Sequence, residues 1–497
     1  MLVEINDLRP ALAPAISAMC AGLVFVMGTR AAWRATWSLA AAVLKFVIVW
    51  SMLPASLDGT VYVFQVAEIM PGLAIAFRVD AFGLFFALVT ATLWVATTLY
   101  AIAYMRGSHS LRRFFSFFAL CVSTTVAIAF AENLFTLFLF YELLTVCTYP
   151  LVVHGQDTHA RRAGRKYLAY TLLGGGLILA GMMMVFHATG TLSLAHSGIL
   201  SGVTDRALLT AIFIALITGF GVKSAIMPLH GWLPSAMVAP TPVSALLHAV
   251  AVVKAGVFGT LRVLYDVFGV ELLLDLGFTV WLGYLAGFTI IAASLMALRQ
   301  NRLKKRLAYS TISQLSYILL AASLLTPAAA LAAIVHLANQ AFAKICMFFV
   351  AGAIERETGK TDVDQLDGIG YRMPWTMVAF TIAGLSFMGV PLLAGFITKW
   401  YLSLGALAVG SGGFIALMAA SGLLNAAYWL PIIYRAWFRN TGVPELREAT
   451  HWMLLLPILV CAIYIVLLGT GAQAPLMPFS LAETAVRFAF GMEVELQ

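Results

Sequence analysis

Charged residues are scarce in this chain. Asp, Glu, Lys and Arg make up only 10% of its 497 residues, against 62% hydrophobic ones, and a water-facing surface cannot be built from so few charges. That excludes a soluble enzyme, and no nucleic-acid partner is expected in spite of a formal net charge of +8. Cysteine is scarce too. Cys20, Cys121, Cys147, Cys346 and Cys461 stand alone without CxxC spacing, so neither a disulfide framework nor a thiolate metal site is expected. A Walker loop, a dinucleotide fingerprint, a haem-attachment motif and HExxH are all missing, and the chain is expected to carry no cofactor and no metal of its own. The first apolar run has neither a basic leader nor a small-residue cleavage site, so it is expected to be retained. No soluble domain is expected before or after the apolar bundle.

Long apolar runs fill the space that charge leaves. Fourteen stretches are long enough to cross a hydrocarbon core of about 30 Å as helices. They lie near 9–28, 33–53, 81–105, 111–130, 131–153, 166–189, 208–229, 241–265, 276–298, 305–325, 328–353, 374–405, 412–437 and 452–471. The expected fold class is an all-α polytopic membrane protein.

The few basic residues are unevenly placed. The odd-numbered connections hold Arg30, Arg34, Arg106, Arg112, Arg113, Arg161, Arg162, Arg165, Lys166, Arg299, Arg302, Lys304, Lys305, Arg306, Arg356, Lys360, Arg372, Arg435, Arg439 and Arg447. The even connections and the termini hold only Arg9, Arg78, Arg206, Arg262 and Arg487. By the positive-inside rule the odd connections are cytoplasmic and both termini outside. The alternation also supports a count of fourteen, because a missed span would scramble it.

The remaining basic residues fall inside spans, and all are lysines: Lys45, Lys223, Lys254, Lys344 and Lys399. A desolvated lysine can give up its proton where an arginine cannot, which suits proton transfer. Of the acidic residues, only Glu142, in FYELLTVCTYP, lies well inside a span. Each such charge costs ~2.5–3.5 kcal/mol at a helix centre on insertion scales, so these groups should face a bundle interior or water.

Two spans carry helix breakers. Pro228, Pro234, Pro240 and Pro242 interrupt the end of the seventh, and Gly389, Pro391 and Gly395 interrupt the twelfth just before Lys399. Interrupted segments in corresponding positions point to internal repeats with a site at midmembrane depth. Spans 4–8 and 9–13 would be two inverted five-helix repeats with two discontinuous helices, making Lys223 and Lys399 pseudo-equivalent. The expected organisation is then 1–110 for the first three spans, 111–266 and 274–438 for the repeats, and 439–497 for the last span and tail. Both breaks should border water. Between spans 2 and 3, valines and aromatics alternate around Pro71 and Gly72, which suggests an external β-hairpin.

These residues resemble the antiporter-like membrane subunits shared by respiratory complex I, membrane-bound hydrogenases and Mrp-type multisubunit cation/proton antiporters. The matching blocks are ENLFTLFLFYELLTVCTYPLV, GFGVKSAIMPLHGWLPSAMVAPTPVSALLHAVAVVKAGVF, KKRLAYSTISQLSYILL, HLANQAFAKICMFFVAGAI and GVPLLAGFITKWYL, between about 131 and 402. The resemblance implies an ion pair between Glu142 and Lys223, followed by Lys254, Lys344 and Lys399 as a proton path across the midplane. His248 and His336 match ionisable positions of some members. Gln340 departs from the HLxxHAxxK pattern, and an amide cannot hold an extra proton near neutral pH. The lack of a long lateral helix or C-terminal extension, Lys399 in place of glutamate, and GKTDVDQLDGIGYRMPWT incline the resemblance to the D-type member of the Mrp antiporters.

The function this implies is proton translocation within a multisubunit Na+/proton antiporter, with other membrane subunits, protons, Na+ and the lipid bilayer as partners. The alternatives are a proton-pumping subunit of a complex I or hydrogenase type assembly, the membrane partner of an inorganic-carbon uptake system, and an assembly scaffold. Lys45, outside the repeats, reads as structural. His230 beside the first break reads as a cap for exposed carbonyls, while His248 and His336 serve equally well as hydrogen-bonded core residues.

Overall fold

The computed structural model describes residues 3–439, 448–474, 477 and 479–492, except for the side chain of His248. Arg447 of the basic set falls outside those residues. Strand β1 (Val3–Asn6) is followed by α1 (Arg9–Met27), α2 (Ala31–Ser51), the short α3 (Leu53–Leu57), β2 (Thr60–Met70) and β3 (Leu73–Val79). Then come α4 (Ala81–Tyr104), α5 (Leu111–Ala129), α6 (Leu134–Val152), α7 (Thr158–Thr189), α8 (Arg206–Ser224), α9 (Trp232–Ser235), α10 (Thr241–Ala249), α11 (Val252–Arg262) and α12 (Val270–Leu276). The chain continues through α13 (Thr279–Leu298), α14 (Leu303–Ser323), α15 (Pro327–Thr358), α16 (Ile369–Arg372), α17 (Pro374–Met388), α18 (Ala394–Ala408), α19 (Gly412–Phe438), α20 (Trp452–Thr470) and α21 (Phe479–Ala489).

This is an all-α multi-pass membrane protein. Among the described residues, 12 helical segments are long and apolar enough to cross a membrane. The sequence segments 305–325 and 374–405 correspond to α14, which opens on a basic turn, and to the broken pair α17 and α18. Helices dominate because only they satisfy every backbone polar group within one apolar segment. Their ends are marked by local chemistry. Asp80, Asn133, Asp157, Asp205 and Thr326 accept backbone N–H groups at the starts of α4, α6, α7, α8 and α15, as N-cap residues do. The two longest helices, α7 and α15, are both 32 residues and both end at a left-handed glycine, Gly190 and Gly359.

Residues 60–79 form an antiparallel hairpin that turns at Pro71 and Gly72, where Gly72 has φ +79°. Strand β1 adds to it in parallel, pairing Val3 with Thr60 and Asn6 with Val63. The sequence carries no pattern for that third strand, which is too short to show periodicity.

The two 32-residue helices differ in environment. Helix α15 is the interior one, packed against α10, α14, α17, α18 and α20, with buried side chains continuously from Ala329 to Ile354. Helix α7 packs on α6 and α8 but leaves Leu172, Leu173 and Met183 exposed, so it has a lipid-facing side. Its contact with α8 is close because Gly174 and Gly219 meet backbone to backbone: a Cβ on Gly174 would stand 3.0 Å from the Gly219 carbonyl oxygen.

Candidate functional site

The first break follows α8. Ala225 adopts φ +56°, the Met227–Pro228 bond is cis, and the chain crosses to α9 before α10 starts at Thr241. Of the breakers, Pro228 lies in the gap, Pro240 and Pro242 set the start of α10, and Pro234 sits inside the four-residue α9. Irregular backbone at this depth needs partners. Met227 N donates to Thr289 Oγ1 on α13 at 3.2 Å, and Trp232 Nε1 donates to the Val222 carbonyl at 2.8 Å. His230 lies two residues after Pro228, and its Nδ1 is buried with no hydrogen-bond partner among the described residues.

Lys223 lies one residue before the end of α8 and is fully buried. Its Nζ donates to the Tyr141 carbonyl at 2.6 Å and stands 3.3 Å from the centroid of the Tyr141 ring, placed for a cation–π contact whenever the amine is charged. Glu142, next along α6, is an electrostatic neighbour of Lys223 but does not touch it. The ion pair implied by the resemblance is therefore not formed in this structure. The glutamate side chain instead turns toward α7, where Gly175 leaves room for it: a Cβ there would lie 2.6 Å from the Glu142 Cδ. Glu142 Oε1 is buried with no hydrogen-bond partner among the described residues.

Span 8 is not the single helix 241–265 that its apolar pattern suggests. Helix α10 ends at Ala249 and α11 begins at Val252, with Ala251 at φ −103°, ψ −85°. No glycine or proline announces this break. The β-branched Val250, Val252 and Val253 weaken the helix there, while Gly256 pins α11 to α8, since a Cβ on it would stand 2.7 Å from the Lys223 carbonyl carbon. Lys254 therefore occupies the first turn of α11, two residues before the Gly256 contact with α8. Its Nζ is buried with no hydrogen-bond partner among the described residues. His248 belongs to α10, and its side chain lies outside the described residues.

Lys344, at the middle of α15, donates to Ser310 Oγ on α14 at 2.6 Å and lies 4.2 Å from the Phe387 ring centroid. It is an electrostatic neighbour of Lys254. His336, two turns earlier, shares a 3.1 Å hydrogen bond between Nδ1 and Thr398 Oγ1, and Nε2 has no partner among the described residues. Lys254, Lys344 and Lys399 all act electrostatically on it. Gln340 is buried on the same helix with both amide atoms unpaired among the described residues.

The second break separates α17 from α18. Gly389 closes α17 at φ +90°, Pro391 lies in the gap, and Gly395 falls in the first turn of α18 and not in the gap itself. Gly395 serves close packing: its N–H donates to Ser386 Oγ at 2.9 Å, and a Cβ would collide with the Ser386 carbonyl. Lys399 reaches back from α18 to the carbonyls of Phe387 and Met388, at 3.0 and 2.7 Å. A cation at a helix C-terminus is favoured by the helix dipole, by ~0.3–1 kcal/mol in exposed settings and up to ~2 when partly buried. Gln314, Tyr317, His336, Asn339, Ser386 and Lys399 border a cavity of about 10 Å³ here, roughly the room one water needs. His230, Gly231 and Pro234 of the first break line a larger one of about 770 Å³.

Glu142 and Lys223 are thus electrostatic neighbours, as are Lys254, Lys344, His336 and Lys399 around His336, and the two groups are joined by the packing of α11 on α8 at Gly256. Lys45 is not among them; it donates to Ser17 Oγ at 2.8 Å and stacks on Trp94. The sequence reading missed a second buried charge cluster. Arg262 bonds Asp80 at 2.7 and 2.8 Å and Asp266 at 2.8 Å, and all three are largely shielded. Asp266 sits in a π-helical turn, Val263–Phe268, that carries span 8 beyond its apparent end, so Glu142 is not the only buried acid. The i, i+4 spacing of Arg262 and Asp266 was the available signal.

An all-α bundle with 12 described spanning segments, two interrupted helices and buried lysines defines the class of multi-pass membrane proteins. Comparison places the chain more narrowly: residues 131–424 match the family described as NADH:quinone oxidoreductase/Mrp antiporter, TM, and the chain belongs to it. It is 33% identical to the N-type chain of the NADH-quinone oxidoreductase of Desulforudis audaxviator over 76% of this chain and 78% of that one. It is 28% identical to the D-type chain of the Na(+)/H(+) antiporter of Alkalihalophilus pseudofirmus over 81% of each. Longer relatives are matched over only 36% to 62% of their length. Among solved structures it superposes on a chain of the membrane-bound sulfane sulfur reductase, an archaeal respiratory membrane complex, with TM-score 0.89, 25% identity and coverage of 97% of this chain and 98% of that one.

Proposed function

We propose that the chain is the proton-translocating subunit of a multisubunit Na+/proton antiporter and carries protons along Glu142, Lys223, Lys254, Lys344 and Lys399, with His336 and His248 as relays. The observation that carries this reading is Lys254: a buried amine without a hydrogen-bond partner among the described residues, an electrostatic neighbour of Lys344, on the helix that Gly256 packs against the Lys223 backbone. Burying such a group unpaired is costly, and a transfer role is the reason to keep it.

The gate is the Glu142 and Lys223 pair. A carboxylate in contact favours the charged ammonium, and separation in a dry interior favours the neutral amine. In the arrangement described above the two are apart, with Lys223 on the Tyr141 carbonyl and Glu142 in the notch at Gly175. Closing the pair loads a proton; opening it sends the proton on through Lys254. The two broken helices supply polar backbone on either side of the row, and the equal lengths and matching caps of α7 and α15 support two inverted repeats, 111–266 and 274–438. The basic connections would face the cytoplasm and both termini the outside of a bacterial inner membrane.

The test is cation-dependent dissipation of a pH gradient in everted vesicles, comparing the native operon with Lys254→Ala at matched expression. Loss of exchange in the variant is expected. Unchanged exchange would make Lys254 structural and remove the path. A second reading is a proton-pumping subunit of a redox-driven complex, favoured by the 33% identity to a quinone oxidoreductase chain and by the superposition on a respiratory complex chain. A native operon that shows no exchange with any monovalent cation, and whose purified complex contains iron–sulfur subunits, would select it.

A further inference from the structure

The 770 Å³ cavity beside the first break is lined by Arg162, Lys166, Arg302, Lys304, Lys305 and Lys360. Its one carboxylate, Glu355, is already engaged by Lys304 at 2.6 Å, Tyr104 at 3.2 Å and Thr241 at 3.3 Å. The excess of positive charge therefore has no counterpart among the described lining residues. These side chains come from three separate segments: the first turns of α7, the start of α14, and the turn after α15. Basic residues at the start of α14 are also at the unfavourable end of its dipole, with no acidic residue in that turn and no side-chain cap. An anion seated there would relieve both strains at once.

The positive-inside bias explains why basic residues lie on this side, but not why these six surround one hollow. Arg30, Arg112 and Arg161 satisfy the same bias and line no part of it. The depth of the cavity is set by the chain. Apolar sequence begins directly after Lys166 and after Arg306, so the rim lies at the span ends, where lipid headgroups sit. Access from the bilayer is offered by α7, which exposes Leu172 and Leu173 further along its length.

We propose that this cavity binds the phosphate oxyanion of an anionic phospholipid headgroup. The basic side chains donate hydrogen bonds to the phosphate oxygens, and the acyl chains run down the exposed side of α7. The proposal is independent of which energy source drives the complex.

The experiment titrates fluorescent phosphatidylglycerol into the complex, expressed from its native operon and purified in neutral detergent. Saturable binding is expected, and the triple variant Arg162→Gln, Arg302→Gln, Lys305→Gln should weaken it about tenfold or more, given that each basic residue near the surface contributes to anionic lipid attraction. Arg30→Gln, Arg112→Gln, Arg161→Gln removes the same charge outside the cavity and should change binding less than about twofold. Equal losses in both triples, or no loss in either, would overturn the site in favour of a diffuse surface field. Displacement of the lipid by inorganic phosphate would keep the oxyanion site but assign it to a soluble anion. Should the first triple fail to assemble, Lys305→Gln alone, on an exposed side chain, gives the same comparison at smaller amplitude.

Discussion

The two breaks solve one problem in opposite ways. At the first, Lys223 precedes the gap, is fully enclosed, and is held by a carbonyl and an aromatic ring of a neighbouring helix. At the second, Lys399 follows the gap, is half-buried, and folds back on the terminal carbonyls of its own broken span. The first lysine also has a half-buried carboxylate nearby, whereas no acidic group among the described residues acts on the second. On the path proposed above, the comparison makes the two ends unequal: one would be a gate whose state depends on a partner's position, the other a port whose lysine also completes a helix end.

The sharpest test of that asymmetry is at the gate. Glu142→Ala and Lys223→Ala should each abolish coupled transport while the complex still assembles, measured as pH-gradient dissipation beside a detergent-extracted assembly profile. Lys399→Arg comes next. Arginine can donate to both Phe387 and Met388 carbonyls but does not release its proton, so this variant should assemble like the native chain and lose transport at least about tenfold. If it transports normally, Lys399 is only a helix cap and the comparison collapses. Gly175→Ala should push Glu142 out of its notch and slow transport about threefold to tenfold, since misplacing a proton-transfer group by an ångström is costly. The smallest effect is expected for Tyr141→Phe. The hydroxyl has no partner among the described residues, while ring and carbonyl remain, so transport should change less than about twofold, in keeping with a cation–π contact that depends on the ring.

Much of this was legible in the sequence. The positions of the helices followed from apolar length alone, and the hairpin from alternation around Pro71 and Gly72. Proline and glycine located both interrupted spans. The break inside span 8 was hidden because it comes from β-branched residues and from packing of Gly256 on the Lys223 backbone, and a contact between distant segments leaves no local mark. The same holds for the notch at Gly175: one glycine among Gly174, Gly175 and Gly176 faces Glu142, and only the packing of α6 on α7 says which. Arg262 read as a connection residue because its partners Asp80 and Asp266 lie at the edges of apolar runs.

The equal lengths of α7 and α15 have an uneven result. At about 1.5 Å per residue each is about 48 Å long, well over the ~30 Å of a hydrocarbon core, so each must tilt or protrude. Helix α15 is walled in by protein and its inclination is fixed by its neighbours. Helix α7 has a face to the lipid, and a thicker or thinner bilayer acts on it directly. Because Gly175 on that helix houses the Glu142 carboxylate, membrane thickness becomes a mechanical input to the place of that carboxylate.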